Sequence, residues 1–349
     1  AEAFGRFRLP RTAVLGELKE TRFYSPSGYE LNYATDSPET VVIDRQQFDQ
    51  SLADQAVAAG ATLYLGERVV AIQRDTHAVT LHTQQQAVNG QLVVIATGAA
   101  YHLHRQLGLD LPTQFVQTAQ GEIDCTDLAQ VELYFGTAVA LGSFSWLVPI
   151  WRNGHKARVG LMAHRDAEGH FQRFLHSPSI RSRRTSERLE RFRRRPIPLA
   201  PLRRTFGERT LVVGDAAGLT KPTTGGGIYY SLLSADMAAC VAEQALRVGH
   251  YSAAFLAQYQ RLWKAQLGSE VWWGQLFRRQ AEHLSDSQID EAFQLVAGGS
   301  LDQLIREHAT FNWHGGLIQA LFSDQQIRGF LWRVLRSRGF PFGRQTAAK

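Results

Sequence analysis

The residues in this 349-residue chain best placed to do chemistry lie at 210–239, TLVVGDAAGLTKPTTGGGIYYSLLSADMAA. An apolar, strand-like run delivers Gly214 and Asp215 to what would be a carboxyl end of a sheet. The small Ala216, Ala217 and Gly218 let a ligand approach the backbone closely. Pro222 fixes a turn, and Gly225, Gly226 and Gly227 then offer unhindered backbone N–H groups where a small-residue helix, 228–246, begins at Ile228. A helix N-terminus favours negative charge, so this arrangement could hold an anionic or electron-rich ligand beside a carboxylate. A glycine-rich turn can also be a simple cap, and GDAAG alone is a modest signal. The compound order of strand, GDAAG, Pro, GGGI and helix is what argues for a ligand.

Other candidates are single residues with plain alternatives. Arg45, after Asp44, could pair with Asp44 or Asp49. Phe144, Trp146 and Pro149 lie in FSWLVP, a string that on its own suits an ordinary half-buried strand. His102 and His104 have HxH spacing with no carboxylate or third His near in sequence, which favours loop histidines over a metal pair. The two cysteines, Cys125 and Cys240, lack ligand spacing, so no metal site or disulfide framework is indicated and a reducing, cytoplasmic compartment fits. No side chain is singled out as a catalytic acid or base.

The elements that must position these groups follow from periodicity. Residues 22–34 read as two strands about a Ser-Pro-Ser-Gly turn, and 41–43 as a brief apolar approach to a helix over 45–59. That helix carries Phe48, Leu52, Ala56 and Ala59 on one stripe and should lie on a sheet, ending at Gly60. Strands are predicted at 62–65, 68–73, 79–82 and 91–96, the last with LVVIA buried on both faces before Thr97-Gly98. Residues 113–165 are strand-rich (VELYF, AVALG, SFSWLVPI, ARVGLMA), with a helical, Arg-rich stretch to about 195 and an extended connector at Pro196, Pro198 and Pro201. A strand at 210–213 precedes the glycine turn, and the rest, to about 338, is helical with a polar tail. Within it His314 reads as structural. Trp263, Trp272, Trp273, Trp313 and Trp332 read as core and seams, although they would also suit a membrane edge.

Composition is ordinary for a globular protein, at 44% hydrophobic and 20% charged, and no apolar run is long enough to span a bilayer. The net charge of +6 reflects arginines crowded into 181–195: Arg181, Arg183, Arg184, Arg188, Arg191, Arg193, Arg194 and Arg195. Interleaved Glu187 and Glu190 would suit a solvated surface helix. The cluster would equally attract an anionic membrane surface on the inner face of the membrane, a lipid phosphate or an acidic electron-donor protein. Nothing here resembles a nucleic-acid-binding motif, and no nucleic acid partner is expected.

The blocks VVIDRQQFDQSLADQAVAAGA, VVIATGA and VVGDAAGLTKPTTGGGIYYSLLSADMAA resemble the geranylgeranyl reductase family, within the wider class of p-hydroxybenzoate-hydroxylase-like flavoproteins. The likeness continues through YQRLWKAQLGSE, LSDSQID and FNWHGG. It implies an α+β fold: an α/β FAD-binding domain of the glutathione-reductase-2 type, interleaved with an antiparallel substrate domain and a helical C-terminal part. The divisions would be 1–40 (strands of the substrate sheet), 41–112 and 201–250 (FAD-binding parts), 113–200 (substrate domain) and 251–349 (helical region).

The resemblance also implies that Gly214 and Asp215 meet the FAD ribityl chain, and that Pro222, Gly225, Gly226, Gly227 and Ile228 lie near the flavin. Arg45 would sit by the ribityl or phosphate part and Thr97-Gly98 on the adenosine side, with Phe144, Trp146 and Pro149 lining an isoprenoid pocket. NAD(P)H or a ferredoxin would reduce the flavin, which would saturate a prenyl C=C bond. A flavin monooxygenase or halogenase, and a non-catalytic lipid-binding protein, are the rival readings. The sequence departs from the family in Phe144 and Val148, in Met162 after Gly160-Leu161, and in having no GxGxxG. The family places that motif upstream of the block corresponding to Ala1, so this chain reads as N-terminally truncated and is expected to bind FAD poorly.

Overall fold

Short alternating runs near the N-terminus become strands. In the computed structural model, which describes residues 2–150 and 155–337, α1 (Glu2–Arg6) leads to β1 (Val14–Leu18), β2 (Glu20–Tyr24) and β3 (Glu30–Ala34), the last two pairing as a hairpin. β4 (Thr40–Ile43) returns antiparallel to β1. Asp44 then caps α2 (Arg45–Ala58), its Oδ1 accepting from the N–H groups of Gln46 at 2.9 Å and Gln47 at 3.2 Å. Only the first half of the predicted stripe is covered: Phe48 is buried and Leu52 partly so, while Ala56 and Ala59 are exposed. Residues 62–65, predicted as a strand, are coil with Leu65 80% exposed. Neither segment has a sheet neighbour among the described residues to pair with or pack on, and a strand without a partner does not form.

β5 (Ala71–Arg74), β6 (Val79–His82) and β7 (Ala87–Gly90) make an antiparallel meander, β7 being a strand that the alternation does not reveal. There follow β8 (Val93–Ile95), β9 (Phe115–Cys125), β10 (Val131–Phe135), β11 (Phe144–Ile150) and β12 (Lys156–Ala163). Helices α3 (Ala167–Leu175) and α4 (Pro178–Arg181) precede the long β13 (Arg184–Pro198), then β14 (Phe206–Gly207) and β15 (Thr210–Val212). The C-terminal part is helical: α5 (Ile228–Val248), α6 (Ala253–Ala281), α7 (Asp286–Ala297), α8 (Ser300–His308), α9 (Gly315–Ser323) and α10 (Gln325–Ser337). The predicted polar tail lies outside the described residues.

Two sheets position the candidate site. In the order β14-β15-β8, β15 and β8 are parallel, so both bring their carboxyl ends to one side. Tyr259 and Trp263 of α6 seal this sheet, Tyr259 donating to Val212 O at 2.8 Å and Trp263 Nε1 to Thr205 Oγ1 at 2.9 Å. Val94 of β8 is 44% exposed, which corrects the expectation that this strand is buried on both faces; β8 is an outer strand and nothing packs over that side chain.

The second sheet runs β13-β9-β12-β11-β10-β2-β3, antiparallel throughout except between β10 and β2. Two predictions fail here. AVALG turns rather than extends, between the left-handed Gly136 (φ 133°) and Gly142 (φ 68°). Of the stretch expected to be helical up to about 195, residues 167–181 carry α3 and α4, whereas the arginines from Arg184 onward form the edge strand β13. Charges along an edge strand deter pairing with other chains, so a composition that suits a solvated helix suits such an edge equally well.

Candidate cofactor and substrate site

β15 hands the chain into a 3-10 turn over Gly214–Ala217. Val213 N–H donates to Ile95 O at 3.0 Å and Gly214 N–H to Ser234 Oγ of α5 at 3.0 Å, which fixes the turn between β8 and the helix. Tyr101 OH donates to Asp215 O at 3.1 Å, and His104 Nε2 lies 2.8 Å from Ala216 O. His102 Nε2 lies 3.1 Å from Val69 O, so both histidines of the HxH pair brace loops. Thr97 and Gly98 follow β8 at the same carboxyl edge, Thr97 Oγ1 donating to Ala100 O at 2.7 Å.

The Asp215 carboxylate is partly buried and has no hydrogen-bond partner among the described residues. A Cβ on Gly227 would stand 2.6 Å from its Oδ1, so the carboxylate lies against the N-terminus of α5. Burial pushes its pKa up, and Arg45 is near enough to pull it the other way. Arg45 itself pairs with Asp49 at 3.0 Å, one of the two alternatives that its position allows. The pair is exposed, at i,i+4 spacing, and contributes only about 0.3–0.5 kcal/mol, so a ligand could take the guanidinium over.

Not all the glycine N–H groups are open. Gly225 N–H donates to Lys221 O at 2.8 Å and Gly226 N–H to Thr224 Oγ1 at 3.4 Å, because the turn closes on itself. Those of Gly227 and Ile228 are left, at the helix start. Pro222 is buried against α6, where a Cβ on Gly274 would meet its Cδ at 3.1 Å, and the Ile228 side chain packs with Ile43 and Phe48. Both therefore hold the turn in place.

The glycine turn meets the larger sheet at Met162. A Cβ on Gly225 would fall 2.6 Å from Met162 Sδ and 3.2 Å from Ile197 Cδ1. Val116, Met162, Leu199, Phe144, Trp146 and Ile197 form one apolar cluster there. Trp146 lies across Gly160, where a Cβ would come within 2.5 Å of its Cζ2. Phe135 extends the wall, its ring 5.9 Å from Phe144, and Phe293 of α7 closes it at 5.7 Å from Phe135. Pro149 is not part of it. Side chains alternate along β11, so Pro149 is buried on the opposite side from Phe144 and Trp146.

Sequence reasoning missed the brace behind the glycine turn. Lys221 Nζ, buried, donates to Phe311 O at 2.9 Å and Asn312 Oδ1 at 3.2 Å, and Asn312 Nδ2 donates to Glu2 at 2.9 Å. Thr223 Oγ1 donates to His314 Nδ1 at 2.6 Å; burial, and then Lys221, push that histidine down to about 4, so it stays neutral. FNWHGG holds these contacts, and only its place in the family blocks signalled them.

Burial pushes Lys221 down to about 8 from 10.5. Between those values the unfolded chain keeps a proton that the folded chain has released, so stability rises with pH across that window. Lys221→Met is expected to remove this rise. The gap between variant and wild type should change by about 3 kcal/mol between pH 8 and pH 10.5, read from urea midpoints at both ends.

Residues 3–207 match the model of the FAD dependent oxidoreductase family. The chain belongs to that family. This FAD-dependent oxidoreductase is 28% identical over 293 residues to the digeranylgeranylglycerophospholipid reductase of Methanocaldococcus jannaschii, covering 80% of the chain and 74% of that protein. It is 27% identical over 274 residues to reductase 2 of that name from Methanothermobacter thermautotrophicus, covering 75% and 70%. Among solved structures, a geranylgeranyl bacteriochlorophyll reductase-like protein of Thermoplasma acidophilum matches at a TM-score of 0.81 with 19% identity, covering 96% of this chain and 87% of that one. The L111Y mutant of halogenase PltM in complex with FAD matches at 0.66 and 14% identity, covering 95% and 77%. Both share the fold.

The residues of the oxidoreductase fit the ring half of FAD. They supply an acceptor carboxylate without a donor at Asp215, a cradle at Gly225–Gly227 that side chains would fill, and the N-terminus of α5. Among the described residues no helix is long and apolar enough to cross a membrane.

Proposed function

We propose that the oxidoreductase saturates C=C bonds of a prenyl chain of the geranylgeranyl type. The observation that carries this reading is the contact at Met162, which brings the glycine turn against a sheet face of Trp146, Phe144 and Ile197. FAD, once bound and reduced by two electrons, would supply a hydride to the C=C bond and return to its oxidised form, with a proton completing each saturation. Asp215 would accept hydrogen bonds from the ribityl hydroxyls, and the N–H groups of Gly227 and Ile228 would favour the electron-rich ring. Arg45 would exchange Asp49 for the ribityl or phosphate part, and Thr97-Gly98 would lie on the adenosine side. Trp146 and Phe144 hold the chain and exclude water. NAD(P)H or a ferredoxin serves as donor, and the exposed part of 181–195 suits an acidic donor protein or an anionic membrane surface. The free cysteines suit the cytoplasm.

The relatives named for prenyl-lipid reduction support this substrate class more directly than the halogenase neighbours support halogenation. Anaerobic incubation of the chain with reduced FAD and a geranylgeranyl lipid should yield product heavier by two hydrogens per saturated bond. Product carrying oxygen or halogen, formed only with oxygen present, would move the assignment to the monooxygenase and halogenase branch.

The adenosine-pyrophosphate half has weaker support. The 349 residues contain no GxGxxG, and the free edge of β8 carries no strand among the described residues. FAD and riboflavin are therefore expected to bind this chain within about tenfold of each other. Equilibrium dialysis checks this; FAD bound a thousandfold more tightly would mean that these residues cradle the pyrophosphate.

A further inference from the structure

Strand geometry sorts the arginines of β13. Arg184, Arg188, Arg191 and Arg194, and Arg183 just before the strand, pair with carboxylates. Arg194 does so with Glu168 of α3, on the face of the sheet that α3 covers. Arg193 and Arg195, its neighbours on either side, belong to the other face, the face of Trp146 and Met162. The register puts Arg193 in one row with Gln120, Gly160, Trp146 and Leu133, and Arg195 in the next with Thr118 and Met162. Both side chains are exposed, and neither guanidinium has a hydrogen-bond or ion-pair partner among the described residues; Thr118 Oγ1 donates at 2.8 Å to the backbone carbonyl of Arg195.

A bulge sets this phase. Glu190 pairs with Glu122 and Arg193 with Gln120, so β13 carries one extra residue there, and Arg191 takes a left-handed φ of 50°. Without that residue every later side chain would change faces, and Arg194 would replace its two neighbours beside the aromatic wall. Arg193 stands three strands from Trp146, about 14 Å away, and β12, whose Met162 touches the glycine turn, lies between them. An anion at the arginines and a chain along Trp146 are thus separate points on one face. A ligand touching both is a long amphiphile.

The geometry points to Arg193 and Arg195 as the phosphate subsite of the substrate, two guanidinium forks holding the anionic headgroup of a prenyl lipid whose chain crosses the glycine turn toward Trp146. This rests on the prenyl reading above and adds the headgroup to it.

Tryptophan-fluorescence titration of the full chain with geranylgeranyl phosphate and with geranylgeraniol tests it. Wild type should prefer the phosphate by about tenfold or more, and salt should shrink that preference. Arg193→Ala/Arg195→Ala should bind both compounds as wild type binds the alcohol, and the double Lys variant should recover part of the preference. A preference that survives in the double Ala variant overturns the subsite, as does equal binding of both compounds by wild type, which leaves the prenyl reading standing. Displacement of geranylgeranyl phosphate by an equal concentration of inorganic phosphate assigns the pair to free phosphate. Weakened FAD binding in the variant, with riboflavin unaffected, assigns it to the cofactor; each of these overturns the proposal. If no form binds either compound, the prenyl reading itself falls.

Discussion

Gly218→Ala is expected to destabilise the protein by about 4 kcal/mol, the largest effect of any single methyl added to the glycine turn. Gly218 sits at φ +71°, and an added Cβ would collide with the carbonyl oxygen of Ala200 while standing 3.0 Å from Pro201 Cα. Both obstacles are backbone, so no rotamer change relieves them. Gly249→Ala is the matched control, with φ +66° and nothing within 4 Å of its Cβ. It should lose only about 1–2 kcal/mol, the strain of a left-handed alanine. Urea unfolding of both variants separates strain from collision: equal midpoints would mean that the chain at 200–201 yields easily and that GDAAG is not tightly packed.

Trp146→Ala is expected to weaken binding of a geranylgeranyl chain about a hundredfold while leaving riboflavin affinity within about threefold. The indole is the largest side chain on the wall, and removing it exposes apolar area worth about 2–3 kcal/mol of burial. Gly160→Ala should reproduce part of the loss without removing the ring, since a methyl 2.5 Å from Trp146 Cζ2 forces the indole off β12. If neither variant alters chain binding, the face of Trp146 and Met162 is packing alone, the alternative that FSWLVP always left open.

The glycine turn was legible because its chemistry is local. Strand, GDAAG, Pro, GGGI and helix are contiguous, and glycines mark where side chains would collide. The brace was not legible, because Lys221, Asn312, His314 and Glu2 meet only through the fold, across as many as 310 positions. β13 was misread since its arginines record solvent exposure without period, and the bulge at Arg191 breaks the alternation that would betray a strand. Pro149 was grouped with Trp146 by adjacency, whereas a strand separates odd from even positions. The stripe on α2 and the apolar residues at 62–65 predicted neighbours that the described residues do not supply, and so the second half of α2 lies bare.

The central claim is that flavin and prenyl chain share one site, meeting at Met162. It is tested most directly by anaerobic mixing of a geranylgeranyl lipid with the chain carrying reduced flavin, at protein concentrations above the flavin dissociation constant. The visible absorbance of oxidised flavin should return without oxygen, one flavin per bond saturated, and Trp146→Ala should need about a hundredfold more lipid for the same rate. Reduced flavin that stays colourless while the lipid is bound, or recovers colour only when oxygen is admitted, would contradict the account.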